Sequence, residues 1–174
     1  AGQVRRREVL FVGRAGELRR ISEHLAAAAC RMLTIVGPGG IGKTRLALEA
    51  ARHVSATDRL LSPVNFVDGV YFVSLAGIAA AAKPGAVGYP AEKLRRHQAD
   101  ALLAAIAEAT SVSFEGSADH RRHLLSCLRP KTLLLILDNF EHLLGDDMPL
   151  PALDLVESFV RQAPNVKILV TSRE

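Results

Sequence analysis

Tryptophan is absent from the chain, aromatic residues make up 5% of it, and it has two cysteines. Each scarcity excludes something. The basic runs RRR (5–7) and LRRH (94–97) carry no interleaved aromatic, so base stacking on single-stranded nucleic acid has no support. Cys30 and Cys127 stand far apart, with neither a CxxC nor a metal-ligand spacing. They read as free buried thiols in a reducing cytosol, and a cytoplasmic location is expected. His120 and His123 in DHRRH share a helix face but lack a third ligand, so a solvated basic helix is expected rather than a metal site. No apolar run approaches the roughly 18 residues of a membrane span, and the N-terminus has no signal-peptide pattern. A membrane partner is therefore not expected. An initiator methionine is also lacking, and the sequence stops at TSRE directly after an apparent strand. It reads as an excised piece of a longer, multidomain protein.

What remains is an ordinary mixture. Of 174 residues, 49% are hydrophobic and 23% charged, which suits one domain with a real core. The net charge of +4 is uneven: residues 1–58 carry ten Lys/Arg against five Asp/Glu, and residues 138–174 carry three against seven. Residues 1–8 (AGQVRRRE) read as a flexible basic arm and the rest as a mixed surface.

Residues 37–44, GPGGIGKT, match two phosphate-binding fingerprints at once. Gly37, Gly39 and Gly42 form the GxGxxG of a dinucleotide site, and Gly37, Gly42, Lys43 and Thr44 form the GxxxxGK[ST] of a triphosphate loop. Their context separates the two. Met32–Val36 is a short apolar run that suits a buried parallel strand, and RLALEAARHV after Thr44 repeats apolar residues at helical spacing. A dinucleotide site needs a carboxylate at the end of its second strand, about 20 residues on. Asp58 has that spacing but closes a helical stretch, whereas the second strand, Val70–Leu75, ends in Ser74–Leu75.

A triphosphate site needs what the chain has. The cradle runs through Gly37, Gly39, Gly40, Ile41, Gly42, Lys43, Thr44 and Arg45, with backbone N–H groups and a helix N-terminus facing the phosphates. Lys43 supplies a point charge to the terminal phosphates, and the Thr44 hydroxyl ligates Mg²⁺. The apolar strand LLLILD (133–138) delivers Asp138 to the metal at its C-terminal end, a Walker B pattern.

Further strands and helices alternate along the chain. Helices are expected over Gln98–Thr110, Asp119–Leu128 and Leu153–Gln162, strands over Thr132–Leu137 and Val166–Thr171, and a mobile insertion over 77–90. The alternation predicts an α/β fold, a three-layer αβα P-loop domain with a parallel sheet, truncated after its fourth core strand.

Four blocks in order, FVGRAGEL (11–18), GPGGIGKTRLALEAA (37–51), LLLILDNFEHLL (133–144) and ILVTSRE (168–174), give the chain a family likeness. It resembles the signal-transduction ATPases with numerous domains (the STAND, or NB-ARC-like, class), in particular the nucleotide-binding domain of bacterial AfsR/LuxR-type transcriptional regulators. That resemblance implies ATP and ADP as ligands with Mg²⁺, and FVGR along the adenine with Val12 and Arg14 as base contacts. It implies that Arg173 faces the γ-phosphate, and a sheet order of 5-1-4-3-2. It also implies self-association in the ATP state of the full-length protein and DNA contact only through domains outside this chain. ATP over GTP rests on the resemblance, because no guanine-reading N/TKxD occurs.

The chain departs from the pattern in two places. Residues 77–97 are longer and richer in Gly and Pro than the family's link, and the residue after Asp138 is Asn139, where many P-loop ATPases carry a water-orienting Glu. Glu141 either takes that role or caps the start of a helix. Lys43, Asp138, Glu141 and Arg173 are thus the candidate catalytic residues, and Thr44 and Asp138 the metal ligands. Slow hydrolysis suits a regulatory switch. The alternatives are an AAA+-like remodelling or DNA-loading ATPase, a small-molecule kinase, and a non-hydrolysing nucleotide-binding scaffold.

Overall fold

A computed structural model describes residues 13–56, 66–81, 91–143 and 151–173. The expected basic arm, Val12 and Asp58 lie outside these residues. Along the chain run α1 (Ala15–Ala26), β1 (Met32–Val36), α2 (Lys43–Ala56), β2 (Val70–Ser74), α3 (Ala76–Ala81), α4 (Ala91–Thr110), α5 (His120–Leu128), β3 (Leu133–Asp138), a 3-10 turn (Phe140–Leu143), α6 (Pro151–Gln162) and β4 (Val166–Ser172).

The four strands form one parallel sheet in the order β1-β4-β3-β2. This places β4 between the first and the Walker B strand, as expected. β3 and β4 are buried throughout, and the side-chain period of two explains how. Leu133, Leu135 and Leu137 turn toward α4, α5 and α6, where they pack with Leu102, Ile106, Leu124, Leu128, Leu155 and Phe159. Leu134, Ile136 and Leu169 turn to the other side, against Leu46, Ala47 and Ala50 of α2 and Ile21 and Leu25 of α1. A strand apolar on both faces needs a helical layer on each, and the result is three layers.

β1 departs from the buried strand that its composition suggests. Leu33 and Ile35 pack toward α1 and α2, but Met32 is 40% exposed and Val36 57%. The reason is position: β1 is the edge strand of the described sheet, and the layer of α4, α5 and α6 covers β2, β3 and β4.

Two other expectations change. Helix α3 occupies residues placed in the insertion, and α4 begins at Ala91 rather than Gln98, so 82–90 alone lies outside the described part of that segment. The cysteines are free but only half-buried. Both histidines of α5 lie against Phe114, His120 stacked at 4.4 Å and His123 edge-on at 6.3 Å.

β4 also buries Lys167, whose ammonium donates to Leu25 O (2.6 Å) and Ala27 O (2.7 Å) at the end of α1. A cation there complements the negative pole of the helix and satisfies its terminal carbonyls. Burial pushes the Lys167 pKa below the usual lysine value; Cys30 opposes the shift and Arg31 adds to it.

Candidate functional site: a phosphate cradle at the strand ends

Parallel strands end together, so register alone assembles this site. Val36 pairs with Ser172, and Ser74 with Asp138, which brings four strand ends to one edge of the sheet. In open α/β sheets that edge is where ligands bind. Residues 37–42 leave β1 here and turn directly into α2. Gly40 (φ 78°) and Gly42 (φ 83°) take the left-handed conformation that side chains disfavour, and a Cβ at either would meet nothing within 4 Å. Backbone conformation, not crowding, therefore demands glycine there. Leu46 N–H donates to Gly42 O at 2.9 Å, closing the first turn of α2. That turn holds Lys43, Thr44 and Arg45, contains no acidic residue, and directs its N–H groups and the positive pole of the helix at the loop. The Lys43 ammonium folds back over the loop and donates to Gly37 O (2.6 Å) and Pro38 O (2.8 Å). The Ile41 side chain, 39% exposed, reaches back to Gly37, where its Cδ1 would lie 2.6 Å from an added Cβ.

The loop is tied to the sheet by a shared carboxylate oxygen. Thr44 Oγ1 donates to Asp138 Oδ1 at 2.7 Å, and Thr171 Oγ1 donates to the same oxygen at 2.6 Å. Thr171 in turn accepts the Asn139 N–H at 3.0 Å. Asp138 is 5% exposed and Thr171 1%, so these charge-assisted bonds lie away from bulk water. With its proton on Asp138, the Thr44 hydroxyl keeps its lone pairs. A hydroxyl and a carboxylate side by side are hard oxygen donors, a set that fits Mg²⁺.

Beyond Asp138 the chain reverses at Asn139, whose φ of 63° lies in the left-handed region that Asn tolerates better than most residues. The reversal returns Phe140 and Leu143 to the core and aims Glu141 at the end of β4. There Glu141 Oε1 pairs with Arg173 Nε at 3.1 Å, and Oε2 accepts the Arg173 backbone N–H at 3.2 Å. The guanidinium stands beside the glycine loop: a Cβ added at Gly39 would lie 3.8 Å from Nε and 3.9 Å from Cζ. The structure thus brings Lys43, Thr44, Asp138, Glu141 and Arg173 to one edge. Arg14 is left-handed (φ 58°) at the head of α1, and Val12 is outside the described residues. Thr171 was missed as a site residue. Its signal is a lone hydroxyl at the end of an apolar strand, and its meaning depends on the register with β3.

The profile of the family described as the AAA ATPase domain matches residues 10–170. The chain belongs to that family. As an AAA ATPase domain it is a nucleotide-binding domain, in keeping with the cradle. Among curated proteins, it is 33% identical over 149 residues to a Mycobacterium tuberculosis protein provisionally named an HTH-type transcriptional regulator, covering 83% of this chain. It is 25% identical over 170 residues to an uncharacterized protein of the same organism, covering 98% of this chain. The chain spans 13% of the first relative's length and 35% of the second's. Among solved structures, C. elegans PCH-2 superposes with a TM-score of 0.49 at 17% identity, over 93% of this chain and 39% of that one. No helix among the described residues of this AAA ATPase domain is long and apolar enough to cross a membrane.

Proposed function

We propose that this chain is the ATP/ADP-binding module of a regulatory switch, with slow Mg²⁺-dependent ATP hydrolysis, in a signalling or transcriptional regulator of the STAND/NB-ARC-like type. The observation that carries the reading is the 2.7 Å bond from Thr44 to Asp138, which joins the phosphate loop to the Walker B strand through two hard oxygen donors. The name of the M. tuberculosis relative supports a regulatory rather than a metabolic setting. Self-association and DNA contact belong, in this reading, to the longer protein.

Each residue has a task in this reading. The glycine loop and the first turn of α2 bind the phosphates through backbone N–H groups, and Lys43 moves from loop carbonyls to phosphate oxygens. Thr44 and Asp138 hold Mg²⁺, which neutralises charge on the phosphates when bound. Arg173 adds a guanidinium at the rim, and Val12 and Arg14 meet the base. Asn139 cannot take up a proton as a carboxylate can, so activation of water is weak and turnover slow.

A single-turnover assay with Mg-ATP tests this. The switch reading expects a rate well below the roughly 1–10³ s⁻¹ typical of enzymes. The family match also accommodates a remodelling ATPase, and rapid multiple turnover by the chain alone would favour that alternative.

A further inference from the structure

Glu141 is an acidic residue two positions past the Walker B aspartate, but its carboxylate is already committed. Both oxygens bond one residue, Arg173, one through the side chain and one through the backbone. A carboxylate that orients water needs an oxygen facing the reaction. This one sits with its side chain 17% exposed and ties the end of β4 to the turn after β3.

The consequence falls on Arg173. Its side chain is 62% exposed, and an arginine so exposed ordinarily samples many rotamers, so ordering it on a ligand costs conformational entropy. Here the Nε edge is held by Glu141, and the guanidinium stands beside Gly39 of the phosphate loop, at van der Waals distance from where a Cβ there would be. No described residue is bonded to the terminal Nη groups. Held in this way, the guanidinium keeps its forked end for a phosphoryl group, in the planar geometry that suits bidentate contact. Asn139 makes the contact possible, because its left-handed turn swings residue 141 toward β4.

We infer that Glu141 is a positioning residue that acts through Arg173: it fixes the guanidinium on the phosphate loop as a reader of the terminal phosphoryl group, so the site distinguishes nucleoside triphosphate from diphosphate. The inference rests on the triphosphate reading above. It replaces water activation by Glu141 with control of ligand discrimination.

The experiment measures affinities for Mg²⁺ with ADP and with a β,γ-imido ATP analogue by calorimetry, and stability in urea. The proteins are wild type, Glu141→Ala, Glu141→Gln, Arg173→Ala and the double variant Glu141→Ala/Arg173→Ala. Glu141→Ala should weaken analogue binding about fivefold to tenfold, the loss of one charge-assisted positioning contact, and leave ADP nearly unchanged. Glu141→Gln, which keeps one acceptor, should fall between and serves as the folded comparison if the alanine variant fails to fold. In the Arg173→Ala background, Glu141→Ala should not alter the analogue-to-ADP ratio further, because the two side chains act as a unit; the urea midpoint serves only as the check of fold, since the bond from the residue 173 backbone N–H to Glu141 survives in that background. An unchanged ratio in both Glu141 variants, or additive effects on that ratio in the double variant, overturns the inference while leaving nucleotide binding standing. A wild type that binds neither nucleotide overturns the functional reading, and this inference with it.

Discussion

Replacing Thr171 by valine keeps the shape of a buried β-branched residue and removes one hydroxyl. That hydroxyl donates to Asp138 Oδ1 at 2.6 Å and accepts the Asn139 N–H at 3.0 Å, in a side chain 1% exposed. A hydrogen bond to a charged group contributes about 1.5–3 kcal/mol, and a buried donor left without a partner costs about 1–3 kcal/mol. Asn139 is only partly buried, so water can recover part of the second term. The expected loss is therefore about 2–4 kcal/mol, or ~5–15 °C in Tm at the ~2–4 °C per kcal/mol of a domain this size. Urea unfolding of the valine and serine variants measures it. Serine keeps the hydroxyl and loses a methyl, so its cost should stay within about 1.5 kcal/mol. A valine variant within about 0.5 kcal/mol of wild type, or a serine variant less stable than the valine one, would refute the role given to this bond.

Asp138→Ala should abolish the magnesium dependence of ATP binding while metal-free ADP binding survives, as titrations with and without EDTA would reveal; equal loss of both would make Asp138 structural. Lys167 gives a pH test. Its folded pKa lies below its usual 10.5, chiefly through burial, so the folded chain binds fewer protons than the unfolded one between those two values. Stability contributed by this group must then rise with pH through that window and level off above 10.5. Urea midpoints of wild type minus Lys167→Met across alkaline pH should show that rise, and a falling difference would contradict the burial argument.

How far the sequence foretold these features depends on how local they are. Met32–Val36 is bounded to the residue because a glycine loop follows it, and the strand expected over Thr132–Leu137 lies within one residue of β3 at each end because few segments are so apolar. Helix α1 is weakly marked in the sequence: Leu18, Ile21 and Leu25 are its only apolar residues larger than alanine, too few for periodicity to show. Helix α4 starts early because AEKLRRHQ is polar, which periodicity alone cannot distinguish from a solvated loop. Lys43, Thr44 and Asp138 were legible because motif spacing encodes them. The pairing of Glu141 with Arg173 was not, since it needs both the β3–β4 register and the positive φ of Asn139. The exposed face of β1 was hidden for a related reason, because composition does not say which strand lies at an edge.

The central claim is that residues 37–44, with Asp138, form a working triphosphate cradle. Calorimetric titration of Mg-ATP into the wild type and Lys43→Ala, each checked for fold by circular dichroism, tests it most directly. Among the described residues the Lys43 ammonium bonds only the carbonyls of its own loop, so its removal should leave the fold intact and cost at least about tenfold in ATP affinity, the loss of one charge-assisted phosphate contact. Unchanged ATP affinity in a folded Lys43→Ala protein, or no ATP binding by the wild type, would contradict the account.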